Sequence, residues 1–468
     1  MIATAAAEYQ QKVTSAAQAV QLVRSGERVY IHHGCAVPHV LIQALVDRAD
    51  SLRGVELLHM LIVGDAPHTR PEYAASFRHN GMFLAPGVRE AVAAGRADYT
   101  PICLSDVEYL FCSGELPLDV AFLQASPPDR DGFVSLGVGV ECMLTAAACA
   151  DRVVAEINDQ MPRTCGDTLV HVSRFSAIVE TSHPLPELHS KPPDSVQERI
   201  ARNVASLVPD GATLQMGIGG IPDSVWSCLK DHRDLGVHGE MISDGMAPLV
   251  ESGVINGARK TLHPGKVVAG FVLGTRVLFD LIHRNPLFEF HPTGYVNDPF
   301  VIAQNDNMIA VNSALEIDLT GQVCADSIGT TPYSGFGGQL DFVRGAGRSR
   351  GGKAIIALPS TAKGGALSRI VPVLSPGSGV VTPRSDVHYV VTEHGIAYLR
   401  GKSIRQRAEA LIAIAEPKFH GELYEAAEQF HYLSRSGCTP TAFHTSEQCV
   451  HAAWNGRHSE EGPARDRT

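Results

Sequence analysis

Ala212-Thr213-Leu214-Gln215-Met216, followed by Gly217-Ile218-Gly219-Gly220-Ile221-Pro222-Asp223, decides the fold class. The first five residues read as a short buried strand, and the glycines as a turn. A helix is predicted to start near Asp223. Upstream, Val196–Leu207 has a helical pattern and Asp210-Gly211 is a turn. The same helix–turn–strand–turn–helix order occurs near the N-terminus. There Ala16 to Val23 is helical, Ser25-Gly26-Glu27 turns, and Arg28-Val29-Tyr30-Ile31 is a strand. His32-His33-Gly34-Cys35-Ala36-Val37-Pro38 then leads into a helix at Val40–Arg48. Val120–Gln124 and Arg152–Ile157 read as further buried strands. Strands alternating with helices across glycine turns define an α/β protein. The recurrence points to duplicated lobes.

The bulk composition agrees. The chain has 468 residues, 44% apolar and 19% charged, with 44 glycines. That length exceeds one ordinary core, so two domains are expected. The Pro-rich stretch 185–195 is the linker candidate, which divides the chain into 1–190, 191–435 and a polar tail, 436–468, expected to be disordered. The net charge of −11 argues against a nucleic-acid binder. Ten scattered cysteines without a C-x-x-C pair read as reduced thiols. The N-terminus lacks a signal-peptide pattern, and no apolar run approaches a membrane span. The expected setting is cytoplasmic and soluble, with no membrane association.

Three features carry chemistry. Glu240 sits in Val237-His238-Gly239-Glu240-Met241-Ile242-Ser243-Asp244-Gly245, beside apolar residues rather than on a charged surface. A partly desolvated carboxylate is a better nucleophile than a hydrated one. The bland alternative is a capping or salt-bridging glutamate. Gly217 to Gly220 is either a tight turn or a ligand loop. Pro222 stands where a dinucleotide fingerprint needs its third glycine. Gly335-Phe336-Gly337-Gly338 offers bare N–H donors to an oxyanion or a pantetheine arm. Lys363, on a glycine-rich loop after Ala354–Ala357, suits a phosphate or is simply solvated.

Other chemistries lack their signatures. His32, His33 and His39 form the closest histidine cluster, yet no compact zinc motif occurs and no metal is expected in the site. Neither a G-x-S-x-G elbow nor a P-loop is present.

Taken together, several strings resemble the acetyl-CoA hydrolase/transferase family of class I CoA-transferases, and within it the 4-hydroxybutyrate CoA-transferase branch. They are Ser126-Pro127-Pro128-Asp129 with Gly132, residues 156–162 (EINDQMP) and residues 180–186 (ETSHPLP). Residues 217–223 (GIGGIPD), Glu240 with Ser243-Asp244-Gly245, and Tyr295-Val296-Asn297-Asp298-Pro299 follow. Residues 318–323 (DLTGQV), 335–346 (GFGGQLDFVRGA) and 392–397 (TEHGIA) complete the set. The resemblance covers about residues 10–430.

It implies two open α/β lobes with the active site in the cleft between them. It also implies that Glu240 carries a glutamyl-CoA thioester in ping-pong transfer of CoA between a short-chain acyl-CoA and a free carboxylate such as acetate. Gly217, Ile218, Gly219, Gly220, Ile221, Leu315, Gly338 and Lys363 fall on CoA-contacting positions. The backbones of Ile218/Gly219 and Gly337/Gly338 fit oxyanion loops. Coenzyme A is then a substrate and no cofactor is bound permanently; a homodimer is the base-rate expectation. Hydrolysis on the same scaffold is the alternative, and a non-catalytic CoA-binding module a more distant one. One departure is Gly294, where the branch is expected to carry an acidic residue before Tyr-Val-Asn.

Overall fold

The computed structural model describes residues 5–190 and 192–433. The expected tail, with Cys438 and Cys449, lies outside the described residues. Two sheets organise the chain. The first contains β1 (Arg28–Ile31), β2 (Val55–His59), β3 (Phe77–Gly81), β4 (Ala97–Tyr99), β5 (Val120–Ala125), β6 (Arg152–Asn158) and β7 (Ala177–Thr181). Its order is β4-β3-β2-β1-β5-β6-β7, parallel throughout.

The second contains β8 (Thr213–Met216), β9 (Gly236–Ile242), β10 (Val267–Val272), β11 (Phe288–Phe290), β12 (Met308–Ser313), β13 (Lys353–Ala357), β14 (Tyr389–Thr392) and β15 (Gly395–Tyr398). Its order is β11-β10-β9-β8-β12-β13-β14-β15. Only the terminal β14–β15 pair is antiparallel. Leaving out that hairpin strand, the two sheets have the same strand order. In each, the first strand lies beside the fifth, and the order reverses there. That reversal opens a crevice at the carboxyl ends of the strands, where open α/β sheets bind ligands.

Burial on both faces explains the apolar strands. In β12, Ile309 and Val311 enter a core shared by the two lobes, while Met308 and Ala310 enter a second core on the opposite face. Residues of β13 alternate likewise: Ile355 and Ala357 against Ala354 and Ile356. In the first lobe, Tyr30 joins the shared core, and Val29 and Ile31 an outer one.

Helix α1 (Ser195–Ala205) is set by a capping box between Asp194 and Gln197 and buries Ile200, Ala201 and Val204. Helix α2 begins at Gly220, not near Asp223, and runs to Cys228. Pro222 falls in its first turn, where no backbone donor is needed, so the proline does not delay the helix. The Pro-rich linker segment is tied down: Leu185 is buried, and the Leu188 N–H donates to the Gly274 carbonyl at 2.9 Å. The eight described cysteines are free thiols. No helix among the described residues is long and apolar enough to cross a membrane.

The lobes are joined by backbone bonds. Val272 N–H donates to Val138 O at 2.8 Å, and Val140 and Glu141 N–H both donate to Gly270 O. Leu104 N–H reaches Gly337 O at 3.0 Å, and Leu84 N–H reaches Ser334 O at 3.0 Å.

Candidate active site

Glu240 is the fifth residue of β9, next to β8 at the strand-order reversal. Its side chain enters a cleft of about 530 Å³ between the lobes. Gly217 and Ile218, from the turn after β8, line one side. Leu315, just beyond β12, and Gly337 and Gly338 also line it. The first lobe supplies His33, Met60, Leu61 and Phe83. Most of the wall is apolar, with few polar groups converging on the carboxylate, as in small-molecule sites generally.

The carboxylate of Glu240 accepts from Asn297 Nδ2 at 3.2 Å, and the Gly338 backbone N–H faces it. Burial raises its pKa above the ordinary carboxylate range; the Asn297 and Gly338 donors and the nearby His33 pull the other way without cancelling it. A Cβ at Gly338 would overlap both Glu240 Oε2 and Asn297 Nδ2, so any larger residue there would push those two groups out of place. Gly337, with φ +51°, turns the loop in the left-handed region. Its Cβ position lies 3.8 Å from Glu240 Oε1.

Helix α3 (Gln339–Arg348) follows this loop with Gly338 as its N-cap. Its Asp341 is buried, accepts from Ser105 Oγ at 2.8 Å and Ser105 N–H at 3.2 Å, and lies near Asn297. Burial, with the neighbouring charge of Glu240, pushes its carboxyl up to about 7.

At the cleft floor lies a buried histidine–carboxylate pair. His33 Nδ1 is 2.5 Å from Glu141 Oε1, and the His33 ring meets Phe271 edge-on at 4.5 Å. Burial would raise the Glu141 carboxyl, but His33 and then His32 outweigh it and hold its pKa below the ordinary range. His32 Nδ1 accepts from Gln124 N–H, so its Nε2–H donates to Gly139 O at 2.5 Å. His39 does not join them. It opens the helix His39–Val46 and lines a separate hollow with Gln43, Asp65 and His183.

The cleft therefore brings together Glu240, Gly217, Ile218, Leu315, Gly337 and Gly338. Gly219, Gly220 and Ile221 follow Ile218 in the same turn but are not part of the cleft lining. Gly219, at φ +111°, caps α2; the Cβ position of Gly220 faces the Gln197 side chain; Ile221 is buried. Lys363 is exposed in the turn between two short strands, Thr361–Ala362 and Leu367–Ser368, outside the cleft lining. Arg369, just past that hairpin, donates to Leu315 O at 3.1 Å, tying its base to the cleft mouth.

Gly294 is exposed. Its N–H donates to Glu108 Oε1 at 2.8 Å, and a Cβ would sit 3.3 Å from Glu108 Oε2. A carboxylate at 294 would therefore confront Glu108, away from the cleft lining. Sequence reasoning did not single out Asn297, Asp341 or His33 for the site. Asn297 and Asp341 lie within quoted strings, but only the fold shows what they touch.

Comparisons with known proteins match this architecture. The family model for the acetyl-CoA hydrolase/transferase N-terminal domain matches residues 3–188, and the C-terminal domain model residues 274–427. The 4-hydroxybutyrate coenzyme A transferase of Clostridium kluyveri is 49% identical over 415 residues, 89% of this chain and 97% of that one. The succinyl-CoA:acetate/propanoyl-CoA:succinate CoA transferase of Fasciola hepatica is 48% identical, covering 86% of this chain and 85% of that one. Among solved structures, RipA from Yersinia pestis superposes with a TM-score of 0.88 at 36% identity, covering 92% of this chain and all of that one. The chain belongs to the acetyl-CoA hydrolase/transferase family. It is an enzyme of the CoA-transferase class.

Proposed function

We propose that this enzyme moves CoA between a short-chain acyl-CoA and a free carboxylate by a ping-pong route through a thioester on Glu240. The observation that carries the reading is the Glu240 carboxylate, partly desolvated, held by Asn297 Nδ2 and faced by the Gly338 backbone in a cleft lined by two glycine loops.

In the first step the carboxylate attacks the acyl-CoA carbonyl, and CoA leaves as thiolate. The thiolate then attacks the glutamyl carbonyl of the anhydride. Glutamyl-CoA forms, and the first acid departs as its carboxylate. An acceptor carboxylate reverses the sequence. A thioester is exchanged for a thioester, so no ATP and no resident cofactor is needed.

The two glycine loops divide the work. The Gly338 N–H faces the Glu240 carboxyl, so it suits the oxyanion that forms on the glutamyl carbon. The Ile218/Gly219 backbone, across the cleft, suits the oxyanion of the acyl substrate. Gly217 to Ile221 and Leu315 would follow the pantetheine arm, and exposed Lys363 would meet a phosphate farther out. The apolar wall of Met60, Leu61, Met241 and Phe271 favours a short aliphatic acyl group such as acetyl, propionyl, butyryl or 4-hydroxybutyryl. One methylene or hydroxyl changes such selection by only about 1–3 kcal/mol.

The test is a product assay with butyryl-CoA, with and without excess acetate, separating acyl-CoA species and free CoA by chromatography. Acetyl-CoA formed only with acetate, with little free CoA, supports the transfer reading. Free CoA released equally fast without acetate would replace it with hydrolysis.

A further inference from the structure

A second cluster of reactive side chains lies apart from Glu240, at the β11 edge of the second sheet. Glu289 is in β11, and His291 is the residue just after it. The chain stays in register there: Glu289 pairs with Val268, and His291 N–H donates to Ala269 O at 3.0 Å. Two residues apart on an extended chain, their side chains share a face. His263, in the loop before β10, points its ring at the same spot from a backbone with φ +52°.

We propose that His263 Nδ1, Glu289 Oε2 and His291 Nε2 form a binding site for a divalent transition metal of the zinc class. His263 Nδ1 is 2.9 Å and His291 Nε2 is 3.8 Å from Glu289 Oε2. The three ligand atoms all lie within 4.8 Å of one another. Zinc bonds of about 2.0–2.1 Å in a tetrahedron place neighbouring ligand atoms roughly 3.3 Å apart, so small side-chain adjustments suffice.

The groups behind the ligands match what metal-binding histidines need. His291 Nδ1 is 2.8 Å from Asp167 Oδ2, so it donates to a carboxylate and leaves Nε2 as the free lone pair. That Nε2 is buried and has no hydrogen-bond partner. His263 Nε2 is 2.7 Å from the Tyr295 hydroxyl, which fixes the opposite nitrogen on the Glu289 side. Lys266 Nζ holds Glu289 Oε1 at 3.2 Å, leaving Oε2 for a single metal bond. All three ligands keep some solvent exposure, which gives an entry path. Glu289 and His291 with one distant histidine form no compact motif, so sequence spacing does not reveal the set.

The site would act as a brace. Asp167 belongs to the first lobe, and the Asp167 N–H donates to Phe290 O at 2.8 Å. Tyr295 lies two residues before Asn297, whose amide holds Glu240. A bound ion therefore pins the lobe junction and the short helix Thr293–Val296 that leads to Asn297.

The experiment uses the full chain, stripped with a chelator and desalted, then titrated with Co²⁺ and with buffered Zn²⁺. Expected is one metal per chain, visible d–d absorption from Co²⁺ that Zn²⁺ displaces, and a rise in thermal midpoint on loading. Glu289→Gln keeps the side-chain shape and the His263 contact, and is expected to abolish stoichiometric uptake. Asp167→Asn is expected to weaken binding by about 10–100-fold. No stoichiometric uptake by the wild type overturns the site. So does full uptake by Glu289→Gln or by a folded His263→Ala/His291→Ala double variant, because other side chains would then be the ligands.

Discussion

Gly338 and Glu240 are fitted to one another: the Gly338 backbone faces the Glu240 carboxyl and favours its charged form, and the space a Gly338 Cβ would need is filled by Glu240 Oε2. Gly338→Ala is therefore expected to displace the carboxylate and its donor together. Loss of one preorganised donor of this kind costs about 10²–10³ in kcat. Steady-state kinetics beside a thermal melt checks this: kcat falls by that factor or more while the melt stays cooperative.

Asn297 holds the other side of the carboxylate. Its amide stabilises the charged form of Glu240, so removing it raises the Glu240 pKa further. Asn297→Ala is expected to lower kcat by about 10–100-fold, the equivalent of a hydrogen bond to a charged group worth about 1.5–3 kcal/mol. It is also expected to move the acid limb of the kcat profile to higher pH. Rates measured from about pH 5 to about pH 8 test both effects.

Asp341 gives a stability prediction with a definite sign. Its folded pKa, about 7, lies above the 3.8 ordinary for an aspartate in an unfolded chain. Between those values the folded state binds the extra proton, so stability falls as pH rises through that window. Asp341→Asn cannot ionise and escapes this loss. The difference in unfolding midpoint, variant minus wild type, is expected to be more favourable at about pH 8 than at about pH 5, read by urea denaturation.

Glu141 is paired with His33 in a fully buried setting at the cleft floor. Glu141→Gln removes the negative partner. Leaving a buried polar partner poorly satisfied costs about 1–3 kcal/mol, and urea unfolding of the two proteins side by side measures it.

Much of the fold is legible in the sequence because its strands are short apolar runs bounded by glycine turns. The strands read at Arg28–Ile31, Val120–Gln124 and Arg152–Ile157 stand out for that reason, and the structure has them at Arg28–Ile31, Val120–Ala125 and Arg152–Asn158. Helix starts are harder: the helix expected near Asp223 begins at Gly220, with Pro222 in its first turn. The glycine loops and Glu240 are legible because glycine clusters exceed what turns need. Asn297, Asp341 and His33 are not. A lone amide, acid or imidazole acquires its role from partners far along the chain, as Asp341 does from Ser105. The linker reading of 185–195 misses that Leu188 binds the Gly274 carbonyl, since a proline-rich composition says nothing of what the segment docks against.

The most direct test of the Glu240 thioester is intact-protein and peptide mass spectrometry after mixing the enzyme with acyl-CoA and no acceptor. The wild type is expected to gain one CoA less water, on the peptide containing Glu240, and to lose it when acetate is added. Glu240→Ala is expected to show neither adduct nor transfer while still binding CoA. An adduct on another residue, or full transfer activity in Glu240→Ala, would contradict the account.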